Sequence, residues 1–255
     1  MQRGFTLVEL AIVLTIIGLI IGGVLVGSDL IKSAQLNAVA TEYRKYVAAV
    51  NTFRDKYQYL PGDMPNATTF WGKDNTNCPT NTGNVGTPGT CNGSGDGMID
   101  YGSAGGATGE MFQFWKQLAL AGLIEGSYSG LAGPVDVWDT VPGTDSPASR
   151  MANAGWGVAY IANYGGDAAT YAYDYGNFFA FGGTVSGNMP YAAVLSPADA
   201  FNIDTKLDDG EPAHGKVISR RWSTCATSTS NTDYTGAYNL ANTSLQCTLY
   251  FIKQF

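Results

Sequence analysis

A single carboxylate, Glu9, lies inside an otherwise uncharged apolar run near the amino end of the chain. The run covers residues 5–26 and spans about 33 Å as a helix, which is enough to cross the hydrocarbon core of a bilayer. A carboxylate in such a segment costs about 3 kcal/mol to insert, so it is rare without a partner or a role. One interpretation places Glu9 near the helix end, where it reaches the membrane surface. The other pairs it with an amine of a neighbouring chain, which a cut between Gly4 and Phe5 would create.

The residues around Glu9 resemble a known processing signal. The sequence GFTLVEL at residues 4–10 is similar to the class III signal of type IV pilins and type II secretion pseudopilins. This resemblance implies cleavage after Gly4 by a prepilin peptidase, N-methylation of Phe5, and a role for Glu9 in assembly. Many members of the family carry a proline late in the membrane helix. This chain has four glycines there instead, at positions 18, 22, 23 and 27.

A long helix must position these residues. Apolar side chains recur at intervals of three or four from Leu36 to Tyr57, and Pro61 with Gly62 then provides a stop. We therefore predict a helix over residues 5–57, about 80 Å long, which one globular domain cannot bury. The expected divisions are a cleaved leader at 1–4, a transmembrane and filament-core helix at 5–27, an amphipathic helix packing on the head at 28–59, and a globular head at 60–255.

Four cysteines allow three pairings. The head is expected to reach an oxidising compartment, where disulfides are favoured. Neighbouring positions in the chain suggest the pairs Cys78–Cys91 and Cys225–Cys247, and the second pair resembles the disulfide-bounded region of type IV pilins. A zinc site built from all four cysteines is the alternative, which the absence of a C-x2-C spacing disfavours.

The head is expected to be a mixed structure. Helices are predicted over residues 110–121 and 196–201, the second with Ser196 as its N-cap. Alternating apolar and aromatic stretches predict strands at 156–162, 177–181, 216–221 and 246–253. Segments 72–109 and 128–155, rich in Gly and polar residues, predict long loops. The expected fold class is therefore α+β and pilin-like, with a long amino-terminal helix packed on an antiparallel sheet head with disulfide-stapled loops.

Residues 92–100 are a first candidate for a calcium loop. Oxygen-bearing residues at alternate positions, followed by a turn glycine, resemble the start of an EF-hand loop. The candidate ligands are Asn92, Ser94, Asp96 and Asp100. Position 12 of the pattern is Ser103 rather than a bidentate Glu, and Glu110 or Asp63 could substitute only if the fold brings it near. The alternative is a glycine-rich turn with solvated carboxylates.

A second acidic segment at 202–212 contains Asp204, Asp208 and Asp209. Asp209 precedes a glycine, a pair typical of turns, so turn and capping roles are the alternative to calcium or partner contact. We expect no required cofactor, with calcium as an optional ion.

Composition and the single histidine exclude several functions. Lys and Arg total 14 against 21 acidic residues, giving a net charge of −7, and no basic cluster occurs, so no nucleic acid partner is predicted. His214 could combine with Ser219 or Ser223 and an Asp, but no G-x-S-x-G motif is present. We therefore expect no enzymatic activity.

The expected function is that of a structural subunit of a type IV pilus-like filament. The chain would cross the inner membrane once with its head outside the cytoplasm, and then enter a periplasmic or cell-surface filament. Expected partners are copies of itself or other pilins in a helical filament, a prepilin peptidase and the inner-membrane assembly machinery. One alternative is a type II secretion pseudopilin or a minor tip pilin that primes assembly or binds a surface. Another is a membrane-tethered head with a binding or enzymatic activity.

Overall fold

The architecture is a long helix carrying a mixed head. The computed structural model describes residues 6–78, 80–100, 109–253 and 255, so the predicted processing site at Gly4 and Phe5, and also Ser103, lie outside the described residues. The elements are α1 (Leu7–Tyr57), α2 (Thr68–Trp71), α3 (Glu110–Leu120), β1 (Gly155–Ile161), β2 (Gly176–Gly182), α4 (Pro197–Leu207), β3 (Val217–Arg220) and β4 (Thr248–Ile252). The strands form one antiparallel sheet in the order β1-β2-β4-β3. The predicted α+β fold class is confirmed.

Helix α1 is continuous over 51 residues, about 77 Å. Thr6 caps its amino end, and the helix ends where Gln58 adopts a left-handed conformation with φ of 64°. Lys56 and Arg54 lie in the last turn, where positive charge complements the helix dipole. The glycines of the apolar half do not interrupt the helix.

The second half of α1 packs on the head through aromatic side chains. Tyr43 stacks on Phe251 with ring centroids 4.6 Å apart, and Tyr46 meets Trp115 at 5.1 Å and Trp156 at 5.4 Å. Burying each such side chain contributes about 1.5–3 kcal/mol before the cost of ordering it. The buried residues of α1 are Leu36, Val39, Ala40, Tyr43, Tyr46, Ala49, Val50 and Phe53. The buried side chains that α1 contributes to the head therefore all come from its carboxyl-terminal half, within the described residues.

The two faces of the sheet have different neighbours. Successive side chains of a strand point to opposite faces. Phe179 and Phe251 are register partners on the face that α1 covers. Tyr250, beside Phe251 in β4, consequently lies on the face away from α1, where its ring contacts that of Phe178 at 5.0 Å.

Helix α4 is longer than the predicted 196–201. Ser196 accepts a hydrogen bond from the Asp199 amide, and the Asp199 carboxylate accepts one from the Ser196 amide, so a capping box starts the helix. Ala200 and Ile203 are fully buried on its inner side and extend it by packing. Asp204 therefore lies on a helix and not in a loop. The short helix α2 was not predicted.

Two disulfides stabilise the irregular parts of the head. Cys78 pairs with Cys91 and Cys225 with Cys247, with Cα–Cα distances of 5.8 and 5.1 Å. The first closes a part of the 72–100 segment that contains no helix or regular strand among its described residues. The second joins the segment after β3 to the start of β4. These are the pairs that the order of the cysteines suggests.

Candidate functional site

Glu9 is held at the start of α1 by Thr6. The Thr6 amide and hydroxyl both donate to Glu9 Oε2, at 2.8 and 2.9 Å, and the Glu9 amide donates back to Thr6 Oγ1 at 3.3 Å. This reciprocal pair is a capping box, which satisfies helix amides that otherwise lack partners. The spacing Thr-x-x-Glu before an apolar run could have predicted it. The carboxylate is thus fixed one turn into the helix, beside the end where cleavage would release an amine.

The first half of α1 exposes a continuous apolar surface. Every large apolar side chain from Leu7 to Ile31 is exposed, by between 45% at Ile17 and 91% at Leu7. Part of this half forms a segment long and apolar enough to cross a membrane, with a mean hydropathy of 2.8 and none of it buried in the head. Apolar surface of this extent in water would be unfavourable, so lipid or other helices must cover it.

Glycines leave gaps along this apolar surface. A Cβ atom built at Gly18, Gly22, Gly23 or Gly27 would meet no atom within 4 Å other than the adjoining backbone of its own helix. The four glycines form two pairs with a spacing of four residues, which places each pair on one side of the helix. Small residues at this spacing let another helix approach closely in a membrane.

Glu42 anchors α1 to the head. Its carboxylate accepts hydrogen bonds from the Ser149 hydroxyl at 2.7 Å, the Arg150 amide at 2.8 Å and the Trp156 indole at 2.9 Å. Trp156 is fully buried, so this indole N–H would otherwise lack a partner. No local pattern signals Glu42, because its partners lie more than 100 residues away.

The 92–100 segment surrounds a carboxylate. Oxygen Oδ1 of the buried Asp63 accepts from the Ser94 hydroxyl at 3.0 Å and from the Asp96 amide at 3.1 Å, and Oδ2 accepts from the Gly97 amide at 2.9 Å. Asn92 uses its side-chain oxygen to accept from the Thr68 amide. Consecutive amides around an anion form a nest, whereas a calcium loop directs oxygens inward.

The fold also brings Glu110 to this loop. Its carboxylate accepts from the Ser94 amide at 2.6 Å and the Asp100 amide at 3.0 Å. Burial, with the nearby Asp63 charge, raises the pKa of Glu110 to about 7, and burial beside Asp96 and Asp63 raises the pKa of Asp100. Within the described residues, however, the 92–100 segment contributes to no group of three acidic, His or Cys ligands close enough to share an ion. Calcium binding by Asn92, Ser94, Asp96 and Asp100 stays a prediction.

The second acidic segment does bring its candidates together. One oxygen from each of Asp204, Asp208 and Asp209 lies within 4.8 Å of the others. Asp208 Oδ2 accepts from the amides of Lys216 and Val217, so the carboxylate also joins α4 to the start of β3. The arrangement offers carboxylate oxygens, the ligands that calcium prefers, but several of their lone pairs are already used by amides.

Asp204 is the buried member of this group. It is fully buried, and it accepts hydrogen bonds from the Tyr238 hydroxyl at 2.8 Å and the Gly210 amide at 3.3 Å. Burial, increased by the charges of Asp209 and Asp208, raises the pKa of Asp204 to about 7. A proton or a cation can therefore neutralise this carboxylate near neutral pH.

His214 is not joined to the serines that could have formed a triad with it. Its side chain is half-exposed and lies 4.0 Å from the Glu211 carboxylate. Ser219 is buried in the core, and, over the part of the chain described, no hydrogen bond links His214 to Ser219 or Ser223.

Comparison with known protein families gives a match at the amino end. Residues 1–25 match the family described as the prokaryotic N-terminal methylation motif, which is the prepilin signal of type IV pilins and pseudopilins. The match confirms the resemblance of residues 4–10, and it covers 25 of 255 residues. The comparison with curated proteins finds no match, and neither does the comparison with solved structures. The motif implies processing by a prepilin peptidase and assembly into filaments of the pilin type.

Proposed function

We propose that the chain is a structural subunit of a type IV pilus-like filament, cleaved after Gly4 and assembled through α1. The observation that supports this most is the division of one continuous helix into two halves. The half from Leu7 to Ile31 exposes every large apolar side chain, while the half from Leu36 to Tyr57 belongs to the core of the head. A helix built this way can exchange lipid for neighbouring helices while the head stays folded.

Glu9 supplies the register of assembly in this proposal. Once a neighbouring helix replaces lipid, an amine on Phe5 of that neighbour would neutralise the Glu9 carboxylate. Helices displaced along their axes would leave both charges unpaired, and an unpaired charge is costly in a medium of low dielectric. Glycine pairs at Gly18–Gly22 and Gly23–Gly27 would let the helices come close enough for this contact.

The test of this role compares Glu9→Gln and Glu9→Leu with the wild type. Both variants should insert in the inner membrane at normal levels, because removing a charge makes insertion more favourable. Both should be depleted from filaments at least about tenfold, the effect of losing about 1.4 kcal/mol per subunit contact. Thr15→Val is the matched control, since the Thr15 hydroxyl donates to the Ile12 carbonyl of the same helix. Normal incorporation of both Glu9 variants would refute the role.

Mass spectrometry of sheared surface filaments and matched inner membranes would separate the filament subunit from its alternatives. A processed, N-methylated Phe5 form that dominates the filaments is the expected result. Confinement of the processed chain to the membrane, or traces outside, would favour a pseudopilin or minor pilin. An intact Met1 in both fractions, with the peptidase present, would refute the filament proposal and leave α1 as a plain anchor.

Two further expectations accompany this proposal. We propose that the head has no enzymatic activity, supported by the lack, among the described residues, of a hydrogen bond from His214 to Ser219 or Ser223. We also propose that an optional calcium ion binds at Asp204, Asp208 and Asp209, supported by their shared position. Calcium supplies positive charge there and no reaction.

A further inference from the structure

A cleft on the face of the sheet away from α1 carries features that assembly does not use. Its volume is about 210 Å³, and its walls include Trp138, Tyr164 and Tyr191. Tyr250 and Arg220 line it from neighbouring strands of the sheet. Because α1 covers the opposite face, this cleft stays open when α1 packs against other helices.

The cleft contains a fixed pair of opposite charges. The Arg220 guanidinium lies 4.0 Å above the Tyr191 ring, and its Nε donates to the Thr170 hydroxyl at 3.1 Å. Asp167 is held from the other side by the amides of Ala169 and Thr170, both at 2.6 Å. These contacts hold both groups before any ligand arrives, which lowers the entropy cost of binding.

Several polar groups in the cleft have no protein partner. Tyr250 is a buried residue that lines the cleft, and across the described residues its hydroxyl has no hydrogen-bond partner. Among the described residues, the Tyr191 hydroxyl, the Asn188 side-chain amide and the two terminal nitrogens of Arg220 likewise have no hydrogen-bond partner. Burial raises the pKa of Tyr250, so its hydroxyl keeps its proton and can donate. A ligand in the cleft would find these donors and acceptors free of protein partners and could hydrogen-bond to them.

We propose that this cleft binds one neutral hexose ring, free or at the end of a glycan. The charges of Asp167 and Arg220 cancel, which favours a neutral ligand that needs both donors and acceptors. The aromatic walls of the cleft favour a ring with an apolar C–H face. The cleft volume is below the range of about 300–1,000 Å³ typical of pockets for drug-sized ligands, so the cleft suits a single small ring. A hexose combines these properties in a single ring.

The test is saturation-transfer NMR on the full chain in micelles of lauryldimethylamine oxide, a detergent without a sugar headgroup. The probes are D-glucose, D-galactose, D-mannose and N-acetylglucosamine. At least one should bind saturably, with a Kd of about 1 mM, as expected for one ring and a few hydrogen bonds. Tyr250→Phe keeps the packed ring and removes only the hydroxyl, and it should weaken binding about fivefold. Arg220→Lys, which loses the planar fork, should weaken it about tenfold.

Tyr128→Phe is the matched control, because its hydroxyl donates to the Glu125 carbonyl away from the cleft, and it should bind as the wild type does. Near-UV circular dichroism must show that each variant is folded. The absence of saturable binding by all four neutral sugars would overturn the proposal, as would equal affinity of the wild type and both cleft variants. Binding confined to N-acetylneuraminic acid or glucuronic acid would overturn the assignment of a neutral ring. None of these outcomes depends on whether the chain forms filaments.

Discussion

Replacing the buried Asp204 with Asn should make the head more stable at alkaline pH and leave it unchanged at acidic pH. The carboxylate keeps its proton in the folded head up to about pH 7, since burial raises its pKa from 3.8 to about 7. In the unfolded chain it ionises near pH 4. Between pH 4 and 7 the folded state therefore binds more protons than the unfolded state, and the free energy of unfolding falls as the pH rises. Below pH 4 this effect is absent, and above pH 7 it is complete.

The magnitude follows from the size of the pKa shift. A shift of about 3 units corresponds to about 4 kcal/mol at pH 8, and relaxation around the charge reduces this to an expected value of about 2 kcal/mol. The Asn side chain keeps an oxygen for the Gly210 amide, and its NH2 group can donate to the Tyr238 hydroxyl, which then accepts. The variant should melt about 4–8 °C above the wild type at pH 8, for a domain of this size.

Thermal melts of the full chain in micelles, followed by near-UV circular dichroism from pH 4 to 8 with EDTA present, would measure this difference. Asp233→Asn is the control of opposite sign. Hydrogen bonds from the Thr229 amide and the Thr235 hydroxyl lower the pKa of this exposed carboxylate to about 2, so its removal should destabilise the head at neutral pH. The reasoning would be refuted if the melting temperatures of the wild type and Asp204→Asn differed by the same amount at pH 4 and pH 8. It would also be refuted if the variant melted below the wild type at pH 8.

Three other perturbations test the remaining contacts. Calcium should raise the melting temperature of the wild type, and EDTA should reverse this rise. The Asp208→Asn variant should show no rise with calcium. A wild-type melting temperature that calcium does not change would refute calcium binding. Glu42→Leu leaves the Trp156 indole unpaired and should lower the free energy of unfolding, measured in urea, by about 3 kcal/mol. A much smaller decrease would contradict the anchoring role of Glu42. Replacing Cys225 and Cys247 together by Ser should cost about 3 kcal/mol in the same assay, and no loss would show that the second disulfide is dispensable.

Local patterns predicted the regular elements of the fold. The helical spacing from Leu36 to Tyr57 predicted the buried side of α1, and the stop at Pro61 matches its observed end at Tyr57. All four predicted strands occur, each shifted by at most two residues at an end. Helix α4 runs beyond its predicted end because packing of Ile203, a tertiary contact, extends it.

Contacts between distant segments could not be predicted in the same way. Glu42 and Trp156 are separated by 114 residues, and no local pattern links them. The spacing in 92–100 gave no sign that Asp63, more than 30 residues earlier, would accept hydrogen bonds from the loop amides. The sequence named Asp204, Asp208 and Asp209 as joint candidates, and in the structure the end of α4 and the turn after it bring them together.

The packing of α1 on the head also decides how the protein would respond to force. Side chains from Leu36 to Tyr57 contact the head along about 33 Å of the helix axis. Tension between the head and the exposed half of α1 would act parallel to this axis, so many contacts would have to slide at once. Detachment by shear of this kind resists more force than opening contacts one after another. The aromatic contacts that pack α1 on the head would thus also make the attachment of the head to α1 resistant to pulling force.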